Sequence, residues 1–168
     1  IPHLIQLLKD FRSRYPNLEE VILEPGEAVG WQTGVLTSTV EDIVVNKGIK
    51  IAMLNVSFAC HMPDCLEMPY KPTVLGAHEP TEGDKFVYRL GGCSCLAGDY
   101  IGMGDFAFDE PLEVGDRIVF DDMIHYTMVK TTFFNGVAHP SIGMIHRDGE
   151  FELLSEPGDY LSYKAKLG

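Results

Sequence analysis

Three short runs in this chain combine residue types that can do chemistry. In Glu24-Pro25-Gly26-Glu27 a carboxylate ends an apolar run and a Pro-Gly turn follows at once. Barrel enzymes collect catalytic groups at the C-terminal ends of such strands, although the same residues also make an ordinary strand-ending turn. In Gly91-Gly-Cys-Ser-Cys-Leu-Ala-Gly-Asp99, paired glycines permit close backbone approach. Cys95 in that loop can act as an acid or nucleophile, or equally as a small buried side chain. In His125-Tyr126-Thr-Met-Val-Lys-Thr-Thr-Phe-Phe-Asn-Gly136, the Tyr126 hydroxyl can hold a phosphate or a substrate. It can also be a plain amphipathic residue at the edge of a core, and Asn135-Gly136 is a turn in either case.

The elements that must carry these residues change character near Gly26. Pro2 followed by Leu4, Ile5, Leu7, Leu8 and Phe11 has helical spacing, which predicts an amphipathic helix ending near Tyr15-Pro16. Residues 21–24 read as a buried strand whose polar tip is Glu24. Beyond Gly26, valine, isoleucine and threonine crowd into runs at 35–40, 43–45, 49–56, 86–90, 118–120 and 126–134, all read as strands. Asn46-Lys-Gly48 and Asp148-Gly149 predict hairpin turns, and Val114-Gly-Asp116 a turn into a strand. The expectation is a mainly β domain, barrel or sandwich, over 27–168, with 1–26 belonging to a different, α/β unit.

Composition narrows the function. With 25 acidic and 13 basic residues among 168, the net charge of -12 argues against nucleic acid. It suits a cationic small molecule, but on charge alone an acidic surface serving plain solubility is the favoured reading. No apolar run is long enough to span a bilayer. Four cysteines without a regular framework indicate a reducing, cytoplasmic setting, and the spacing Cys60…Cys65…Cys93-x-Cys95 is not that of a zinc finger; no metal is expected.

The order of the three runs resembles the ornithine/diaminopimelate/arginine decarboxylases, a family with an alanine-racemase-like barrel. Its members show a Glu-Pro-Gly strand end, a Gly-x-x-Cys-x-x-x-Asp loop and a Tyr-Thr run closing on Phe-Asn-Gly. The matching residues here are Glu24-Pro25-Gly26, Gly92 with Cys95 and Asp99, and Tyr126-Thr127 with Phe134-Asn135-Gly136. Within the family, the second and third runs resemble the branch acting on carboxynorspermidine and carboxyspermidine in polyamine biosynthesis.

The resemblance implies a lyase using pyridoxal 5'-phosphate, built from a (β/α)8 barrel and a C-terminal β domain and working as a head-to-tail homodimer. Residues 2–15 and 21–24 then correspond to the last barrel helix and strand. Glu24 corresponds to the carboxylate on the cofactor's ring nitrogen and Tyr126 to the phenol on its phosphate. Cys95 corresponds to the acid that protonates the substrate α-carbon across the dimer interface, Asp99 to an interface acid, and Phe134 to a pocket aromatic. The family's Schiff-base lysine and phosphate loop fall upstream of Ile1, so the chain is expected to be a C-terminal portion, inactive alone, with Lys130 on a strand face. Two positions depart from the family pattern. Glu27 replaces a phosphate-contacting arginine, and Leu96 replaces the acid found in diamine-forming relatives. A longer, triamine-like acid fits an apolar Leu96, with Glu27, Asp64 and Glu67 as candidates for its distal amines or, equally, as solvated turn residues. A racemase of the same fold would lack the Cys95 loop. A non-catalytic regulatory relative would not need Cys95, Glu24 and Tyr126 together.

Overall fold

Turn chemistry sets most of the architecture. The computed structural model describes residues 1–168. Two predicted runs merge into one long strand, β1 (Leu36–Asn46), which turns through Lys47-Gly48 into β2 (Ile49–Leu54). A register shift between Val40 and Asp42 leaves Glu41 as a bulge, which explains why the two halves of β1 read as separate strands. Two short helices follow, α3 (Phe58–His61) and α4 (Asp64–Glu67). They are preceded in the chain by α1 (Pro2–Arg14) and α2 (Gly26–Gly30). Then come β3 (Ala77–His78), β4 (Phe86–Gly91), β5 (Phe106–Phe108) and β6 (Arg117–Phe120).

These six strands form one sheet in the order β3-β5-β4-β2-β1-β6, antiparallel except for β2 beside β4. Residues 73–78 join its two edges. Ala77 and His78 pair with β5, while Val74 bridges Phe120 and the Leu75 amide donates to the Val119 carbonyl at 2.9 Å. The sheet therefore rolls up towards a barrel, which removes exposed edges. Its inside is filled by Val40, Ala52, Leu54, Phe58, Leu90, Ile118 and Phe120, with Phe58 and Phe120 edge to face at 5.8 Å. The expected mainly β fold is observed.

Three expectations fail. Residues 21–24 form no strand, and Ile22 and Leu23 are exposed, because nothing in this chain offers them a parallel partner. The 126–134 run is not a strand either. It opens as α5 (Tyr126–Val129) and closes as a 3-10 turn (Phe134–Gly136). Its β-branched and aromatic content favours strands only where a sheet neighbour exists, and here tertiary packing overrides propensity. Lys130 therefore caps α5 and is not on a strand face. Past it, β7 (Ile142–Ile145) and β8 (Phe151–Ser155) make the Asp148-Gly149 hairpin as expected, and α6 (Tyr160–Leu167), which has no strong periodic signal, ends the chain.

Candidate active site

The predicted residues fall into two groups. Glu24, Glu27, Asp64 and Tyr126 line one cavity of about 760 Å³, together with Asp121, Asp122 and His125. Cys95, Asp99, Phe134 and Asn135 gather elsewhere, around α3.

The cavity group depends on a strained residue. His125 caps α5 with φ 52° and ψ −123°, a backbone conformation unusual for a residue with a side chain. Its ring lies against Gly30 at the end of α2, where an added Cβ would stand 2.6 Å from the imidazole Cε1. The histidine thus fastens the Glu-Pro-Gly segment to the start of α5. That leaves Tyr126 62% exposed at the cavity. The buried Nε2 of His125 has no hydrogen-bond partner, a condition that costs free energy unless a ligand or further protein satisfies it.

Asp64 and Glu67 are already engaged. Lys130 Nζ is bound to the Asp64 carboxylate and lies 3.1 Å from Glu67 Oε2. The Asp64 bond, then the Glu67 bond, holds the ammonium above its ordinary range. Lys130 therefore stays a cation and not a nucleophilic amine. Of the two acids, only Asp64 reaches the cavity.

The second group is a set of closed turns. Asp99 is 4% exposed. Its Oδ2 accepts from the Ser94 amide at 3.0 Å and the Ser94 hydroxyl at 2.6 Å, and its Oδ1 accepts from the Ala59 amide at 3.0 Å. Gly92 is required here, since a Cβ would overlap the Asp99 carboxylate. Within this chain Asp99 holds the loop through these three bonds. Cys95 is exposed on that loop, and Asn135 Nδ2 donates to its sulfur at 3.0 Å. Cys93 differs. Partial desolvation, then the charge of Asp99, keeps its thiol above the ordinary value. Cys60 and Cys65 are buried, and burial pushes the Cys65 thiol up to about 11.

Phe134 lies 47% exposed beside Asn135, with its carbonyl accepting from the Cys60 thiol at 3.3 Å, and does not line the cavity. The sequence reading missed His125, Asp121 and Asp122 as cavity residues and Asn135 as a partner of Cys95. For His125 and Asn135 the signal is conformational: both have positive φ, and both stand next to residues already singled out.

Residues 22–124 match the family model described as pyridoxal-dependent decarboxylase, C-terminal sheet domain. The chain belongs to this family. Among its relatives, the carboxyaminopropylagmatine decarboxylase of Synechocystis sp. is 58% identical over 99% of this chain and 42% of the relative. The carboxynorspermidine/carboxyspermidine decarboxylase of Campylobacter jejuni is 43% identical over 98% of this chain and 43% of the relative. The crystal structure of Campylobacter jejuni carboxynorspermidine decarboxylase complexed with norspermidine superposes with a TM-score of 0.84 at 42% identity, covering 97% of this chain and 46% of that one. The chain thus spans less than half the length of these relatives. Membership of a pyridoxal-dependent family implies pyridoxal phosphate, and the cavity offers it a carboxylate, Glu24, and a phenol, Tyr126.

Proposed function

We propose that this chain is the sheet domain, with the end of the barrel, of a homodimeric pyridoxal-phosphate-dependent decarboxylase acting on a carboxylated polyamine. Residues 1–26 belong to the barrel in this reading and 27–168 to the sheet domain. The exposed Leu4, Ile5, Leu7, Phe11, Ile22 and Leu23 support this, as an apolar surface that a barrel would cover. When bound, the cofactor supplies the electron sink that lets the substrate lose CO2. Glu24 keeps the ring nitrogen protonated, and the Tyr126 phenol holds the phosphate. Glu27 carries the wrong sign for a phosphate contact, so it faces the cationic substrate with Asp64, Asp121 and Asp122.

The observation that carries the reading is the separation of Glu24 and Tyr126 in one cavity from Cys95, which does not line it. A head-to-tail dimer reunites them: Cys95 of one copy enters the cavity of the other and gives its proton to the substrate α-carbon. The wild-type whole protein tests the substrate. We expect kcat/KM for carboxynorspermidine or carboxyspermidine to exceed that for ornithine, lysine and diaminopimelate by at least ~10²-fold, since Leu96 cannot pair the distal ammonium of a short substrate. Equal activity on ornithine would overturn the substrate class. The Synechocystis relative favours a second reading, in which the distal group is the guanidinium of carboxyaminopropylagmatine. The same comparison with that acid included separates the two.

A further inference from the structure

We infer that Asn135 is a positioning residue for Cys95, which presents its thiol and stabilises the thiolate left when the proton departs. The inference rests on the reading of Cys95 as the α-carbon acid. Three observations support it. Asn135 Nδ2 donates to Cys95 Sγ at 3.0 Å. Asn135 has φ 56° and ψ 18°, a left-handed conformation that asparagine tolerates better than most residues.

The third observation is that both partners are anchored to one short helix. The amide of Ala59 in α3 donates to Asp99 of the Cys95 loop. The Cys60 thiol donates to the Phe134 carbonyl, and the Cys60 carbonyl accepts from the Thr132 amide at 3.0 Å. His61 Nε2 contacts the Ala138 carbonyl at 2.9 Å. Thiol and amide are therefore fixed against each other by a shared support, and neither needs to find the other.

The chemistry follows from the direction of the bond. A neutral thiol sulfur is a weak acceptor and a thiolate a strong one. In the proton transfer the S–H bond breaks, a C–H bond forms at the substrate α-carbon, and the electron pair stays on sulfur. The Asn135 hydrogen bond therefore strengthens as the reaction proceeds, which is the condition for it to accelerate the step. Solvent then returns a proton to sulfur.

The test uses the whole enzyme on a Cys93→Ser background, so that Cys95 is the exposed thiol. Asn135→Gly keeps the left-handed backbone and removes the amide. Asn135→Asp keeps the shape and replaces the donor with a second anion. The readouts are the iodoacetamide alkylation rate of Cys95 from pH 6 to 9, and kcat with KM. We expect alkylation at neutral pH to slow by ~3–10-fold in Asn135→Gly and further in Asn135→Asp, with its pH midpoint moving up. We expect kcat to fall by ~10-fold while KM and cofactor absorbance stay near wild type. Unchanged alkylation in Asn135→Gly would overturn the inference, whatever happens to kcat or in Asn135→Asp. Slowed alkylation with unchanged kcat would overturn its catalytic part. Normal turnover in Cys95→Ala would instead remove the reading beneath it.

Discussion

Asp99 and Ala59 are joined by a 3.0 Å hydrogen bond from the helix amide to the buried carboxylate. This bond ties the loop that carries Cys95 to α3, and Ser94 occupies the other oxygen through its amide and hydroxyl. A carboxylate accepts at both oxygens, whereas an amide side chain accepts at one. Asp99→Asn should therefore leave a buried amide donor unpaired, which costs ~1–3 kcal/mol. The expected result is a lower Tm for the whole protein and a reduced kcat, with cofactor absorbance unchanged. A wild-type Tm and kcat would show that the loop stands without this anchor.

Stability should depend on His61 below neutral pH. The ring is buried, with Nδ1 accepting the Ser57 amide at 3.2 Å and Nε2 at 2.9 Å from the Ala138 carbonyl, a pattern that only the neutral ring satisfies. Burial is the first cause lowering its pKa below the ordinary 6.5, and the nearby His139 also lowers it, while the Ala138 bond and Asp99 pull the other way. A folded-state pKa below the unfolded one means that the unfolded chain binds the proton more readily. The contribution is complete above about pH 6.5 and is lost as pH falls from there towards the folded value. Tm measured between pH 7.5 and 5 should drop more steeply in the wild type than in His61→Gln. Parallel curves would contradict the assignment.

Lys130 should be dispensable for holding the cofactor. Its pairs with Asp64 and Glu67 are partly exposed and screened by solvent, so Lys130→Met should leave Tm close to wild type. Removing the cation should free Asp64 at the cavity and lower KM for a polycationic substrate. Cofactor absorbance should persist in the variant. Its loss would make Lys130 the covalent anchor and contradict the account.

The sequence and the structure agree where local chemistry decides. Asn46-Lys-Gly48, Val114-Gly-Asp116 and Asp148-Gly149 turn as their residues dictate, and the Pro2 helix ends at Tyr15. They part where a partner decides. The 21–24 run has strand composition but no neighbouring strand, and the 126–134 run is shaped by His125 and by contacts to α3 instead of its own propensity. Ordered motifs were enough to single out Glu24, Cys95 and Tyr126. That Asp64 and Glu67 bind Lys130, that Asn135 meets Cys95 and that Asp99 turns inward all involve contacts between residues far apart in sequence, and a single sequence carries no record of such contacts.

The central claim is that Cys95 of one copy completes the cavity formed by Glu24 and Tyr126 of another. Mixing inactive Cys95→Ala and Glu24→Ala versions of the whole protein, after subunit exchange, tests it most directly. Each mixed dimer would contain one site with both defects and one with neither. Random exchange should therefore restore about a quarter of wild-type activity in a two-fold dimer with shared sites. Recovery near that level is the predicted result. A mixture that stays as inactive as its components, with exchange verified, would place Cys95 and Glu24 of the same copy in the same site and contradict the account.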